Sequence, residues 1–224
     1  MIILLIYNNE THKFERYCLE PFDPMPYIRG NTLTVKEFLT GSFSSVAWTT
    51  TGFLNALSDL LKSHNVQISR AFRRIREGGH IAESCHYAGT AVDFAGNITP
   101  LCRLKMYDSL KNKNTFTYFD DLNKTVGFIH ADTRSVPRYG YPALSPGESG
   151  VHVLVLQDAL YTLGITGSGL DGFFGPLTLE SVKRFQAAAG LPTSGVANRE
   201  TWRRLANAAA GAGFPSDCPQ TVFI

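Results

Sequence analysis

His86 and Asp93 stand seven residues apart in the run Ser84-Cys85-His86-Tyr87-Ala88-Gly89-Thr90-Ala91-Val92-Asp93-Phe94, and a second histidine follows in Phe128-Ile129-His130-Ala131-Asp132. The first imidazole precedes a glycine-containing turn, and the carboxylate lies in an apolar, strand-like run. Two imidazoles and one carboxylate form a three-ligand set for catalytic zinc, with a fourth position left open for water. An ion held this way brings the pKa of its water to about 7 and so yields a nucleophile at neutral pH. Taken singly, each residue has a plainer reading: a histidine satisfied within the structure, or an aspartate capping a turn. The joint spacing is what points to metal.

Several elements must position these groups. Phe53, Leu54, Leu57, Leu60 and Leu61 mark a helix ending near His64 and Asn65. Residues 66–68 then read as a strand leading into an arginine-rich loop with Arg70, Arg73, Arg74 and Arg76, and residues 91–94 as a second short strand. Thr99 and Pro100 start another helix through Leu101, Leu104 and Leu110. Residues 115–119 and 126–130 are strand-like and predict a hairpin around residues 120–124. The expectation is an α+β unit over residues 1–142 whose sheet floor carries Asp93 and His130.

Beyond it the period changes. Val151, Val155, Leu156, Leu160 and Leu163 suit one face of an amphipathic helix stopped by Gly164. The turn Asp171-Gly172-Phe173-Phe174-Gly175 leads to Pro176 at a first helical position. Leu179, Val182 and Phe185 line a second helix that stops at Gly190, and Asn198 caps a third with Trp202 and Leu205. A small all-α unit over residues 147–210 follows, then a tail over 211–224. Residues 139–147, beginning at Tyr139, read as a short linker that keeps the two units close.

The first run has the form S-x-H-x-x-G-x-A-x-D. It resembles the signature of the zinc D-Ala-D-Ala carboxypeptidase family, which includes cell-wall endopeptidases and phage lysins. The resemblance spans roughly residues 30–140 and implies a hedgehog/DD-peptidase-like catalytic fold. It also implies zinc ligation by His86, Asp93 and His130. An upstream arginine of that family matches Arg73 in Arg70-Ala71-Phe72-Arg73, which implies that Arg73 grips a substrate carboxylate or stabilises a developing oxyanion. Several relatives keep an acid or a histidine three residues before the last ligand; here Gly127 occupies that place. Asp132, matching an H-x-D variant, is the nearest carboxylate and the candidate general base. On a strand it shares a face with His130, so it can equally orient that ligand or pair with Arg134. Glu83, Asp120 and Asp121 are further candidate bases.

The C-terminal pieces resemble the three-helix peptidoglycan-binding domain, over about residues 147–206. The matching residues are Val155-Leu156-Gln157, Leu160, Leu163-Gly164, residues 171–175, Thr178, Val182, Phe185-Gln186, Gly195, Thr201-Trp202 and Leu205. Most of these are core positions, so the resemblance implies wall binding without naming the surface that does it. Nothing in these helices suggests chemistry, and they are expected to act by localisation only.

With 224 residues, the chain accommodates both units. A net charge of +2 and a pI near 8.3 argue against a nucleic-acid partner. No run approaches the roughly 20 apolar residues of a membrane helix. Residues 1–7 have no basic flank and too short an apolar stretch for a signal peptide, so they read as a buried first strand. Release by lysis, as for a phage lysin, or use in sporulation would then bring the protein to the wall. Of the four cysteines, Cys85 is a conceivable extra ligand but reads better as a buried thiol, and Cys18 with Cys218 would tie the tail to the N-terminal lobe. The expected function is a monomeric zinc peptidase of bacterial peptidoglycan, cutting D-amino-acid-containing bonds of stem peptides or cross-links as carboxypeptidase or endopeptidase. The alternative is a noncatalytic peptidoglycan-binding protein with a degenerate metal site.

Overall fold

The structure, a computed structural model, describes residues 1–30, 33–134 and 140–213. Tyr139 and Cys218 therefore lie outside the described residues, as does the tail from Phe214 onward. Strand β1 (Ile2–Asn8) is the centre of a three-stranded sheet: it pairs antiparallel with β2 (Lys13–Leu19) and parallel with β3 (Val46–Thr50). Leu4, Leu5 and Ile6 are all buried, as a strand covered on both faces requires. The buried first strand is thus present, while β2, β3 and the short helix α1 (Val35–Phe38) had no clear periodic signal. Thr50 ends β3 and caps α2 (Thr51–Ser63) by accepting from the Phe53 N–H at 3.1 Å.

A second sheet has the order β4-β5-β7-β6, from Ile68–Arg70, Ala91–Phe94, Ile129–Asp132 and Tyr118–Phe119, all antiparallel. The predicted hairpin is there, with shorter and shifted strands. In the β5–β7 register Asp93 lies directly opposite His130. Directly opposed residues share one sheet face with their Cβ atoms about 4.5–5.5 Å apart, so strand pairing alone brings two candidate ligands together. Helix α3 (Pro100–Lys113) starts at the Thr99 cap as expected, lies on the surface and buries only Leu110.

Helices α4 (Val151–Thr162), α5 (Pro176–Ala188) and α6 (Arg199–Ala209) form the small all-α unit. Gly164 and Gly190 take positive φ beyond α4 and α5, and Asn198 accepts from the Thr201 N–H at 2.9 Å. Two glutamines act as internal clamps. Gln157 on α4 donates to Asp171, to the Phe173 carbonyl and to Thr178, and accepts from the Gly172 N–H. Gln186 on α5 repeats the pattern on the next loop, bonding Val196, Thr201 and the Gly195 N–H.

One expectation is corrected here. Helix α4 is not amphipathic: Val153, Leu154, Gln157, Asp158 and Ala159 are buried together with the stripe residues. It packs on α5 and α6 at one side and on β3 and the 3-10 turn Ile75–Glu77 at the other. A helix covered all round reads as nearly continuous apolar sequence. The presumed linker is packed as well: Tyr141 is 7% exposed, donates to the Ser84 carbonyl at 2.8 Å and stacks edge-on against Trp202. One apolar core runs through both units.

Candidate metal centre

Residues 84–90 form a tight turn whose backbone closes on itself, with Tyr87 N bonded to Ser84 O and Gly89 N to His86 O. Gly89 has φ +66, and a Cβ there would lie 1.9 Å from the Trp48 carbonyl oxygen. Only glycine fits so close an approach in the left-handed region. Strand β3 fixes the turn from below: the Trp48 indole N–H donates to Tyr87 O and the Thr49 hydroxyl to Gly89 O. The turn therefore delivers His86, 1% exposed, over the face of β5.

His86 Nε2 lies 3.2 Å from Asp93 Oδ1 and 3.3 Å from His130 Nδ1, and His130 Nδ1 lies 2.8 Å from Asp93 Oδ1. The outward nitrogens fix the tautomers. His86 Nδ1 faces the Ala71 carbonyl at 3.1 Å, which only accepts, so Nδ1 carries the hydrogen. His130 Nε2 faces Asp132 Oδ2 at 3.2 Å and donates to it. Three acceptor atoms thus meet with no hydrogen of their own between them. Such a cluster needs a cation, either an added proton or a metal ion. A tetrahedral ion with bonds of about 2.0–2.1 Å spaces its ligand atoms about 3.3 Å apart, close to the separations found. The three residues fit zinc by donor type and by spacing.

The electrostatics agree. Burial raises the Asp93 carboxyl, but hydrogen bonds from His130 and His86 outweigh it and hold the group well below the usual carboxylate range. Burial lowers His130, yet Asp132 and Asp93 outweigh that and bring it to about 9 without metal. Burial and then Asp132 push the Cys85 thiol up to about 12, so without metal it stays protonated at neutral pH. Among the described residues, Cys18, Cys85 and Cys102 form no disulfide.

Two neighbouring groups carried expectations from the sequence. Asp132 is fully buried; both of its oxygens accept from Arg134, and Oδ2 accepts from His130 as well. This is the alternative left open for Asp132, pairing with Arg134 behind His130 and orienting its imidazole. Arg73 turns away. Its guanidinium donates to the carbonyls of Gly78 and Gly41 and does not line the site. Arg70 does: it pairs in register with Asp93, is exposed, and has no side-chain partner among the described residues.

The cluster opens into a cavity of about 610 Å³, within the usual range for ligand sites, lined also by Arg70, His80, Glu83, Asp120 and Arg134. Burial raises the Glu83 carboxyl above its ordinary value. Asp120 accepts from the Tyr118 hydroxyl at 2.8 Å, and Asp121 instead turns to Asn123. His80 stacks on His86 with ring centroids 4.1 Å apart, and burial beside His86 drops it to about 3, so it is neutral. His80 carried no sequence signal, being a single histidine after two glycines.

Comparison with known proteins covers the helical unit. Residues 149–205 match a family model described as "Putative peptidoglycan binding domain". An uncharacterized protein in the bpoA1 3'region of Kitasatospora aureofaciens is 43% identical over 65 residues, which is 29% of this chain and 55% of that protein. The N-acetylmuramoyl-L-alanine amidase CwlL of Bacillus licheniformis is 37% identical over 71 residues, 29% of this chain and 20% of the amidase. The zinc D-Ala-D-Ala carboxypeptidase of Streptomyces albus G is 41% identical over 66 residues, 28% of this chain and 25% of the carboxypeptidase. The chain thus spans between a fifth and just over half of these relatives, and the likeness to the two hydrolases lies in the peptidoglycan-binding region alone. No solved structure gives a significant match. Among the described residues no helix is long and apolar enough to cross a membrane. What the chain shares with wall hydrolases is a peptidoglycan-binding domain at residues 149–205.

Proposed function

We propose that this chain is a zinc-dependent peptidase of bacterial peptidoglycan, hydrolysing D-amino-acid-containing bonds in stem peptides or cross-links and held on the wall by residues 149–205. The observation that carries the reading is the meeting of His86 Nε2, Asp93 Oδ1 and His130 Nδ1 in an open cavity, in a chain with a peptidoglycan-binding domain. Zinc, when bound, supplies a Lewis acid that polarises a carbonyl and acidifies water. The chain's own residues do the rest. Asp132, fixed by Arg134, holds the His130 ring in place. Glu83 is the general base of the reading: its raised carboxyl suits taking a proton from water and returning it to the leaving amine. Arg70, exposed at the cavity wall, receives a substrate carboxylate or a developing oxyanion. Glu83 and Asp120, at the cavity wall beside the cluster, weigh against the noncatalytic alternative.

The test is digestion of defined peptidoglycan followed by mass spectrometry of the fragments, with metal analysis of the same protein. One zinc per chain and new peptide termini that vanish with chelator are expected. Zinc-reloaded protein without stoichiometric metal would overturn the metal assignment. Bound zinc with uncut peptides would leave a wall-binding protein.

A further inference from the structure

Asp158 is the one acid in the apolar run of α4, and it is fully buried. Its Oδ2 accepts from Arg74 Nε at 2.8 Å, and its Oδ1 from Arg74 Nη2 at 2.5 Å and Arg76 Nη2 at 2.7 Å. Arg74 and Arg76 are 5% and 2% exposed. Two guanidinium groups from the catalytic unit are thus buried around one carboxylate of the peptidoglycan-binding unit. The burden is heavy, because removing one member of a buried ionic group leaves charge without compensation.

The arginines belong to the segment that sets the first histidine. Ala71 supplies the carbonyl that fixes the His86 tautomer, and the Arg73 N–H donates to His86 O at 3.3 Å. The Arg74 guanidinium also lies 5.1 Å from the Trp48 ring centre, and the Trp48 indole holds Tyr87 in the His86 turn. The end of α6 braces the same segment, with Gly211 N bonded to Ile75 O and Gly213 N to Arg76 O. Both routes from Asp158 end on His86.

We propose that Asp158 is a positioning residue for the His86–Asp93–His130 cluster, acting through Arg74 and Arg76 on residues 71–77. The peptidoglycan-binding unit is then part of the scaffold of the metal centre. The proposal rests on reading that cluster as the metal site. Without the carboxylate, two like charges no longer share a counter-ion and must separate, and the Ala71 carbonyl moves with the segment that bears them.

The experiment uses full-length protein. Asp158→Asn keeps the shape and removes the charge. Val182→Ala, at a buried position of α5 that takes no part in the ion cluster, serves as the core-destabilised control. Zinc affinity is read by competition with a chromophoric chelator, well below each thermal midpoint. Amide hydrogen exchange of residues 71–77 is read on metal-free protein. The expected result is at least tenfold weaker zinc binding and faster exchange in that segment for Asp158→Asn, with Val182→Ala close to wild type in both. Equal zinc affinity and exchange in the two variants would overturn the proposal and leave Asp158 as ordinary packing. Should Asp158→Asn fail to fold, Arg74→Met, which leaves Arg76 to balance Asp158, is read the same way, and unchanged values there overturn it too. A wild type that takes up no zinc would end the metal reading, and the exchange data would still decide whether Asp158 fixes the segment.

Discussion

At the scale of single residues, Arg70 lines the cavity and Arg73, three positions on, does not. Arg73 bonds two backbone carbonyls, and Arg70 stands beside the cluster with no side-chain partner among the described residues. The Arg70→Ala variant is therefore expected to lose at least about tenfold in kcat/KM on a soluble stem peptide, about 1.4 kcal/mol in the barrier. Its thermal midpoint should stay near wild type, because an exposed side chain without partners contributes little to stability. Arg73→Ala should do the reverse at first order: a lowered midpoint, since the Gly41 and Gly78 carbonyls lose their donor. Steady-state kinetics and thermal melts of the pair check both halves. An unchanged rate for Arg70→Ala would remove it from the site. The sequence pattern registers only order along the chain. Which arginine faces the cavity depends on the irregular β4–β5 pairing at Ile68 and Arg70.

At the scale of elements, what was legible followed from local rules. His86 and Asp93 were legible together because they lie on one continuous turn–strand segment; one sheet was expected to carry both Asp93 and His130, but their direct opposition in register is seen only in the structure. The caps Thr99 and Asn198 and the stop at Gly164 were legible for the same reason. The parallel pairing of β1 with β3 was not, since it joins segments about 40 residues apart with helix α1 between them. Nor was His80, whose closeness to His86 comes from the path of the intervening loop. The glutamines of the helical unit belong to the legible set, and their work is structural. Gln157 is 1% exposed and is the hydrogen-bond partner of the Gly172 N–H. Gln157→Ala should cost about 3 kcal/mol through the unsatisfied loop groups it leaves. Urea unfolding of the full chain measures this, and a loss below about 1 kcal/mol would show that the loop is held by other contacts.

At the scale of the whole molecule, the ion cluster around Asp158 joins the two units and has a signature in acid. Burial raises the Asp158 carboxyl, but Arg74 and then Arg76 outweigh burial and hold it below the ordinary carboxylate value. A carboxyl depressed in the folded state contributes stability that is present above its unfolded pKa and lost as pH falls through the folded one. The stability gap between wild type and Asp158→Asn should therefore be full at pH 7 and shrink as pH falls below about 4. Urea midpoints at pH 7 and pH 3 measure it, and a gap of equal size at both would show that the carboxylate's charge is not what matters.

The same junction decides what happens when the chain is cut. A tether that only raises local concentration leaves its partner intact when removed. Here a chain ending at Pro142 would lose α4 from against β3 and the 3-10 turn, lose Trp202 from Tyr141, and leave Arg74 and Arg76 without Asp158. Breaking a buried ionic group on one side costs about 3–5 kcal/mol, a large fraction of the stability of a domain. Residues 1–142 alone are thus expected to lack fixed tertiary structure and to cut soluble stem peptide far more slowly than the full chain. This reverses the expectation that the helices only localise. The helical unit is not dependent in the same way. Its loops are closed by Gln157 and Gln186 from within, and its Asp158 is readily solvated once exposed. Residues 145–213 alone should fold, sediment with purified walls and cut nothing. Near-UV circular dichroism, zinc titration and peptide turnover of the two pieces measure the asymmetry. A shortened chain of residues 1–142 that is folded, zinc-loaded and as fast as the full chain on soluble peptide would show that the helices merely hold the enzyme to its substrate.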